Sequence, residues 1–530
     1  MVAAVAFESL VKLVAFLAVG LFVTFGMYDG LGDLFSRAAA EPILRAMMTP
    51  FDGSMSLTLK GTKEKPITIK AAGDGEVIFD GDGNHSMFDV VASRYHIFEG
   101  ITIRNTDVGI FAGQKEVIGA VGLTVKNCRF ENIGFGVWTE YAGSSDFYIA
   151  DNLFLGRDDR FRLIGWTGPL WASAGAYGSH QLTSYYAVKL YGPGHVIAHN
   201  AIAYFHDALG ISTYGTPPSD PDQRASSIDI YNNDFHMFND DFVETDGGVH
   251  NVRVFNNRGI NAAQGGYSSQ PVFGGPIYFY RNLLYNVPTG VALKFSAKPA
   301  GLYVFHNTFI AEQTVKDPYS NAHFRNNLFL GRDTPDRPVF RFSNGTNYST
   351  YDYNGYRPNP KSQVQFQWSA PQSAQQRFNS LKALQTATGQ ERHGLEVDYD
   401  IFQNLRPPDA SKPYAIYDAT QLDFRLAPQS KAIDAGTVIP NVNANFTGKA
   451  PDLGAYEYGA PVSALTFNDS RIILTLHREL GVTLAPALEH FAIQNSVVAG
   501  RLTNILLERP MGSRDLRLSG TLSRDRWSEW

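Results

Sequence analysis

This 530-residue chain has almost no cysteine, no basic excess and no apolar run of full membrane-spanning length. Its one thiol, Cys128, excludes an internal disulfide or a Cys-rich zinc site and reads as a small buried strand residue. Lys and Arg number 45 against 51 Asp and Glu, a net charge of -6, so no electrostatic pull toward phosphates exists and nucleic acid is excluded as the expected partner. Charged residues are 18% against 44% hydrophobic, which excludes a disordered chain. The longest apolar stretch, Leu13 to Met27, is short for a bilayer span. With the small residues Ala38, Ala39 and Ala40 behind it, the segment 1–40 reads as an export signal or a membrane anchor. The expected location is therefore secreted or periplasmic, with a membrane as partner only through that anchor. Glycine (49), proline (27) and aromatics (13%) are plentiful, a balance that suits strands and turns.

A hexapeptide recurs: apolar, any, polar (usually Asn), any, then an apolar residue. Copies are IRNTDV at Ile103, VKNCRF at Val125, IADNLF at Ile149, IAHNAI at Ile197, IYNNDF at Ile230, VFNNRG at Val254, FYRNLL at Phe279, VFHNTF at Val304 and FRNNLF at Phe324. A long gap before Ile197 holds a missing turn at Val188 to Leu190 and an excursion from Arg157 to Tyr185. Between copies lie second alternating runs, VWTE at Val137, LGIS at Leu209, FVET at Phe242 and ALKF at Ala292. Short strands recurring about every 25 residues predict a parallel β-solenoid of about ten coils, in which Asn stacked at one turn position bonds from coil to coil.

At this point the chain resembles the right-handed parallel β-helix proteins with a pectate-lyase-like fold. GTKEKPITIKAAGDGEVIFDGDG at Gly61 looks like their opening strand-turn-strand, and DFRLAPQSKAIDAG at Asp423 with PDLGAYEYG at Pro451 like the closing segment of bacterial members. The resemblance implies an all-β helix over residues 51–459. Residues 361–413 lose the repeat and form an excursion or cap, with an amphipathic run at Phe378, Leu381 and Leu384; residues 460–530 are a tail matching nothing in the coils.

Aligning the second runs places Val137, Leu209, Val243 and Val291 inward, Trp138, Gly210, Glu244 and Ala292 outward, and Glu140, Ser212, Asp246 and Lys294 outward two residues on. His206-Asp207 then matches Asp240-Asp241. One surface gathers Asp207, Asp240, Asp241, Glu244 and Asp246 as candidate catalytic residues, with His206, Lys294, Lys189, Trp138 and Glu140 as candidate substrate contacts. Carboxylates so crowded must hold raised pKa values, pair with a base or bind a cation. A protonated and an ionised carboxyl make the acid and base of glycoside hydrolysis. Ionised ones at Asp241, Glu244 and Asp246 make a Ca²⁺ site, on which a lyase would work with a Lys or His base. The pattern is similar to the polygalacturonase branch of the fold, with QGGYSSQ where that branch has Gly-His-Gly: Gln264 supplies no histidine and Ala292 stands in the arginine's place. The expected function is extracellular polysaccharide cleavage, hydrolysis of an acidic glycan first. A calcium-dependent lyase and a non-catalytic glycan-binding surface protein are the alternatives.

Overall fold

The repeat builds a corner. Its third residue adopts left-handed backbone in coil after coil: Asn127, Asp151, His199, Asn232, Asn256, Arg281, His306 and Asn326 all have φ between 54° and 68°. Asn tolerates this conformation better than most residues, which is why it recurs there. The first and sixth positions, such as Ile149 and Phe154 or Val304 and Phe309, are fully buried. A computed structural model describes residues 17–30, 32–33, 36–37, 55–157 (except 74 and 116), 184–211, 216–459 (except 289–290, 314–316 and 413–414), and the strand segments 464–468, 471–475, 501–508 and 517–523.

Strands before the corner form one sheet of eleven, from Ile67–Lys70 to Thr350–Asp352; strands after it form a sheet of nineteen. Pairing is parallel between consecutive coils, as in the register Ile149, Ile197, Ile230, Val254, Phe279, Val304, Phe324. Parallel strands joined by short crossovers in one rotational sense give a right-handed parallel β-helix. Its interior is a continuous apolar core from Met87 to Leu384. A second core lies on the outside of the larger sheet, where Leu283, Ile310 and Leu328 meet Val397 of the segment 361–413 and Phe424 and Leu453 of the closing segment.

The fourth position of the repeat carries a ladder: Asn152, Asn200, Asn233, Asn257, Asn282, Asn307, Asn327, Asn354. Each amide Nδ2 donates to the next Oδ1 at 2.9–3.0 Å, and each backbone N–H donates to that same oxygen. Every member is buried and satisfied.

The copy at Ile103 is out of register. Phe98 pairs with Val125, whereas Ile103 pairs with Phe130. The matching corner is Gly100, also left-handed, so glycine hides the motif there. The missing turn is filled by Tyr186–Lys189, between the strands of Val137 and Leu209; most of the excursion at 157–185 lies outside the described residues. A helix, Leu381–Thr388, buries Leu381 and Leu384, is N-capped by Ser380 and ends on left-handed Gly389.

Residues 1–53 form a separate compact unit. In it, residues 17–22 are helical and run into a π-helical turn, Val23–Met27; the first part of the apolar stretch lies outside the described residues. No helix among the described residues is long and apolar enough to cross a membrane. In the tail, strands 464–468 and 471–475 pair antiparallel, as do 501–508 and 517–523.

Candidate active site

The second strands stack Trp138, Lys189, Gly210, Glu244, Ser268 and Lys294 into one column. In this register Leu293, not Val291, stands in line with Tyr267 and Val243. Lys294 therefore lies in line with Glu244 and not with Asp246. The intervening coil explains the two-residue offset: Gly265 and Gly266 provide no apolar anchor by which to align it.

The coils carrying His206-Asp207 and Asp240-Asp241 are adjacent. Asp240 N–H donates to His206 O at 2.8 Å, and Asp241 N–H to Asp207 Oδ1 at 2.9 Å. The acids are buried, with 0% exposure at Asp241 and 6% at Glu244. Carboxylate oxygens of Asp207, Asp241 and Glu244 lie within 4.8 Å of one another, as do ligand atoms of His206, Asp207 and Asp240. Asp246 is not in either group. Its Oδ1 accepts from Ser268 Oγ at 2.8 Å and Gln270 N at 2.7 Å, bracing the next coil's corner.

Two side chains reach the acids from two coils away, each across a glycine. Lys294 Nζ lies 3.0 and 3.2 Å from the Asp240 oxygens and 2.9 Å from Asp241 Oδ2. On the coil between, a Cβ at Gly265 would overlap Asp241 Oδ1 and touch Lys294 Cδ. From the other side, Tyr186 donates its hydroxyl to Glu244 Oε2 at 2.6 Å; on that intervening coil, a Cβ at Gly210 would lie 3.0 Å from Tyr186 Cε1 and 3.4 Å from Glu244 Oε2. Lys189 caps the Tyr186 ring with its ammonium 4.2 Å from the centroid.

Burial and like charge pull these acids apart in protonation. Burial, then the neighbouring Asp240 charge, pushes Asp241 up to about 8 despite Lys294. Glu244 is raised well above the carboxylate range by burial and by Asp207, Asp246 and Asp241. Burial and Asp241 lift Asp246 to about 7, and burial with Asp207 raises Asp240. Asp207 alone goes the other way. Burial opposes its charge, but His206, 2.8 Å away at Nδ1, and the Asp241 N–H outweigh it and hold the group ionised. Burial disfavours the His206 cation, and Asp207 with Asp240 and Asp241 more than offsets that, so its pKa is raised. Lys294 is raised in the same way by Asp241 and Asp240.

A Ca²⁺ ion takes six to eight oxygens at roughly 2.3–2.6 Å. Here the Lys294 ammonium already sits between Asp240 and Asp241, and Asp246 is turned to Ser268 and Gln270. Of the expected calcium set, Asp241 and Glu244 come together with Asp207, while Asp246 is turned away to Ser268 and Gln270 and Lys294 contacts Asp241 Oδ2.

The remaining candidates stand apart. Trp138 is three coils from Glu244 and stacks on Phe135 at 4.6 Å. Glu140 follows it in a corner, its N–H donating to Gly113 O. Sequence reasoning missed Tyr186, Ser268 and Gly265. The signal for the first was its place two residues before the Val188 run; for the last, the glycine pair in QGGYSSQ.

No family model matches the chain, and no curated protein matches its sequence. Among solved structures, the tailspike protein of E. coli bacteriophage HK620 in complex with pentasaccharide is similar at 13% identity over 57% of this chain and 55% of that one, TM-score 0.42. A mutant of that tailspike in complex with pentasaccharide gives 14%, 57% and 60%, TM-score 0.43, so the matches span less than two thirds of the tailspike chain. Pectate lyase Pel9A gives 16% identity over 76% of this chain and 83% of that one, TM-score 0.37. Such likenesses say nothing of activity. By its own coil-to-coil pairings, the chain is a right-handed parallel β-helix repeat protein.

Proposed function

We propose that this chain hydrolyses glycosidic bonds of a polysaccharide at the Asp207, Asp240, Asp241 and Glu244 cluster. The observation that carries the reading is a protonation split within one site: Asp207 is kept ionised while Asp241 and Glu244, within 4.8 Å, keep their protons. That is the pairing hydrolysis needs, one carboxyl to protonate the leaving oxygen and one carboxylate opposite it. Asp241 or Glu244 supplies the proton, Asp207 the negative charge, and Lys294 neutralises Asp240. Lyase chemistry fits less well, since it requires a neutral base. Lys294 is held as an ammonium by the Asp240 carboxylate and Asp241 Oδ2, and His206 is biased toward its cation.

Asp207→Asn and Asp241→Asn are each expected to cut turnover about 10²- to 10⁴-fold on the cleaved polysaccharide, with new reducing ends and no unsaturated sugar in wild-type product. Wild-type turnover in both variants eliminates the site; unsaturated ends transfer it to lyase chemistry; binding without turnover in wild type makes the protein a glycan binder. The sign with pH follows from the raised group. Asp241 is protonated below about pH 8, so activity is present there and is lost as pH rises through that value. The reading includes export by the segment 1–40, and a cytosolic chain with those residues intact would remove that part.

A further inference from the structure

The corner that holds Asp240 and Asp241 recurs on every coil, and following it along the stack leads to a second polar site. The strands Asp234–Phe238, Arg258–Ala262, Leu283–Tyr285, Thr308–Ile310 and Leu328–Leu330 pair consecutively, so the corner after Leu330 lies four coils beyond the acids. There the chain opens into a cavity of about 400 Å³ lined by Arg332, Arg337, Arg341, Thr334, Asp336 and Gln367, with Pro288 at its near side. Pro288 lies on the coil that sends Lys294 back to the acids. The cavity and the acid cluster are thus neighbours along one edge of the helix, about 19 Å apart at roughly 4.8 Å per coil.

The cavity is built. Arg341 Nε donates to Gln367 Oε1 at 2.6 Å, and Arg332 hydrogen-bonds the Pro288 carbonyl. Asn359 donates to the carbonyls of Thr334 and Arg337 at 2.7 and 2.8 Å, with Pro335 between them and Pro338 just after stiffening the loop. Three arginines and one acid, Asp336, line the cavity. Burial, then the charge of nearby Arg377 outside the cavity, lowers the Arg341 pKa. Planar guanidinium forks match carboxylate and sulfate oxygens.

We infer that Arg337 and Arg341 form an anion subsite for a carboxylated or sulfated glycan that runs along this edge of the helix to the acid cluster. The subsite rests on the proposed glycan cleavage for its place in a reaction, but its binding is separable from it. It holds an acidic group several sugars away from the bond that is cut, and so sets the substrate as an anionic polysaccharide despite the acids of the cluster.

The test is calorimetric binding of hexagalacturonate (carboxylate only), a heparin hexasaccharide (sulfate-rich) and neutral maltohexaose. Wild type is expected to bind at least one acidic probe and not the neutral one, with affinity falling at raised salt. Arg337→Gln with Arg341→Gln is expected to weaken that binding about tenfold or more, and Arg337→Gln alone, on the half-exposed loop, less so. Which acidic probe binds tells carboxylate from sulfate. Asp241→Asn is expected to cut turnover about 10²- to 10⁴-fold without weakening the complex. Failure of both acidic probes to bind, or binding that a folded arginine variant leaves unchanged, overturns the subsite. Arginine-dependent binding with no cleavage of any glycan overturns the proposed hydrolysis and leaves the subsite standing.

Discussion

Two stacks of polar side chains run through the same helix, and the geometry that satisfies one strains the other. Along the Asn ladder each side chain both donates and accepts, so repeating one residue at coil spacing satisfies every member. Along the acid column, carboxylates can only accept while ionised. Asp240, Asp241 and Glu244, crowded beside an ionised Asp207, answer repetition with raised pKa values and with donors brought from elsewhere. Those donors, Lys294 and Tyr186, each come from two coils away and pass a glycine. A coil stack thus stabilises itself with amides and concentrates chemical potential with acids. The difference lies in donor capacity, not in position.

The strongest way to break the contrast is to cut the ladder. Asn257 donates to Ile230 O and Asn282 Oδ1 and accepts from the backbone and side chain of Asn233, all at 3.0 Å. Asn257→Ala leaves buried donors and a carbonyl unpaired at about 1–3 kcal/mol each. A loss of about 4 kcal/mol is expected, read as a fall in the urea midpoint at unchanged slope. A loss below about 1 kcal/mol would mean water replaces the amide, and the ladder would no longer differ in kind from the acids.

A smaller effect is expected where the acid column depends on glycine. Gly265→Ala puts a methyl group where Asp241 Oδ1 now sits and against the Lys294 stem. The ion pair must open, and turnover should fall about a hundredfold, roughly 2.7 kcal/mol in barrier, while the urea midpoint moves little. The Asp241 carboxyl, followed by NMR, should also leave its midpoint of about 8. Unchanged turnover together with an unchanged midpoint would show that the close passage over Gly265 does not hold the site.

How much of this is legible in the sequence depends on whether a requirement repeats. The buried first and sixth positions, the Asn rungs and the adjacency of HDALGIS to NDDFVET are legible, because every coil poses the same demand. Register is lost where glycine erases the pattern. Gly100 hides the corner before Val125, and Gly265-Gly266 shifts Lys294 by two residues, into Glu244's column. The Tyr186 hydroxyl on Glu244 is illegible for a different reason: it skips a coil, and nothing in a nearest-neighbour repeat announces a contact at twice the period. The Lys294 contact is hidden in the same way, since Lys294 reaches Asp240 and Asp241 only by passing over Gly265.

The smallest effect is expected where the two stacks meet in one residue. The ladder ends on a carboxylate: Asn354 Nδ2 donates to Glu391 Oε1 at 2.7 Å and its N–H to Oε2 at 3.3 Å, and Tyr356 adds its hydroxyl to Oε1 at 2.7 Å. A terminal rung has no further amide to serve, so an acceptor-only group closes the chain of donors. Burial nevertheless pushes Glu391 up to about 7, against the lowering by Tyr356 and Asn354. The folded state therefore holds a proton that the unfolded chain releases near pH 4.5. Its stabilising contribution is complete below that value and is lost as pH rises through about 7. Glu391→Gln keeps the acceptor and removes the titration. The variant should match wild type within about 1 kcal/mol at pH 5, gain on it as pH rises through about 7 and level off above, a Tm difference of roughly 2–4 °C. A difference that does not change with pH would mean Glu391 is ionised throughout, an acid that the amides above it are enough to hold.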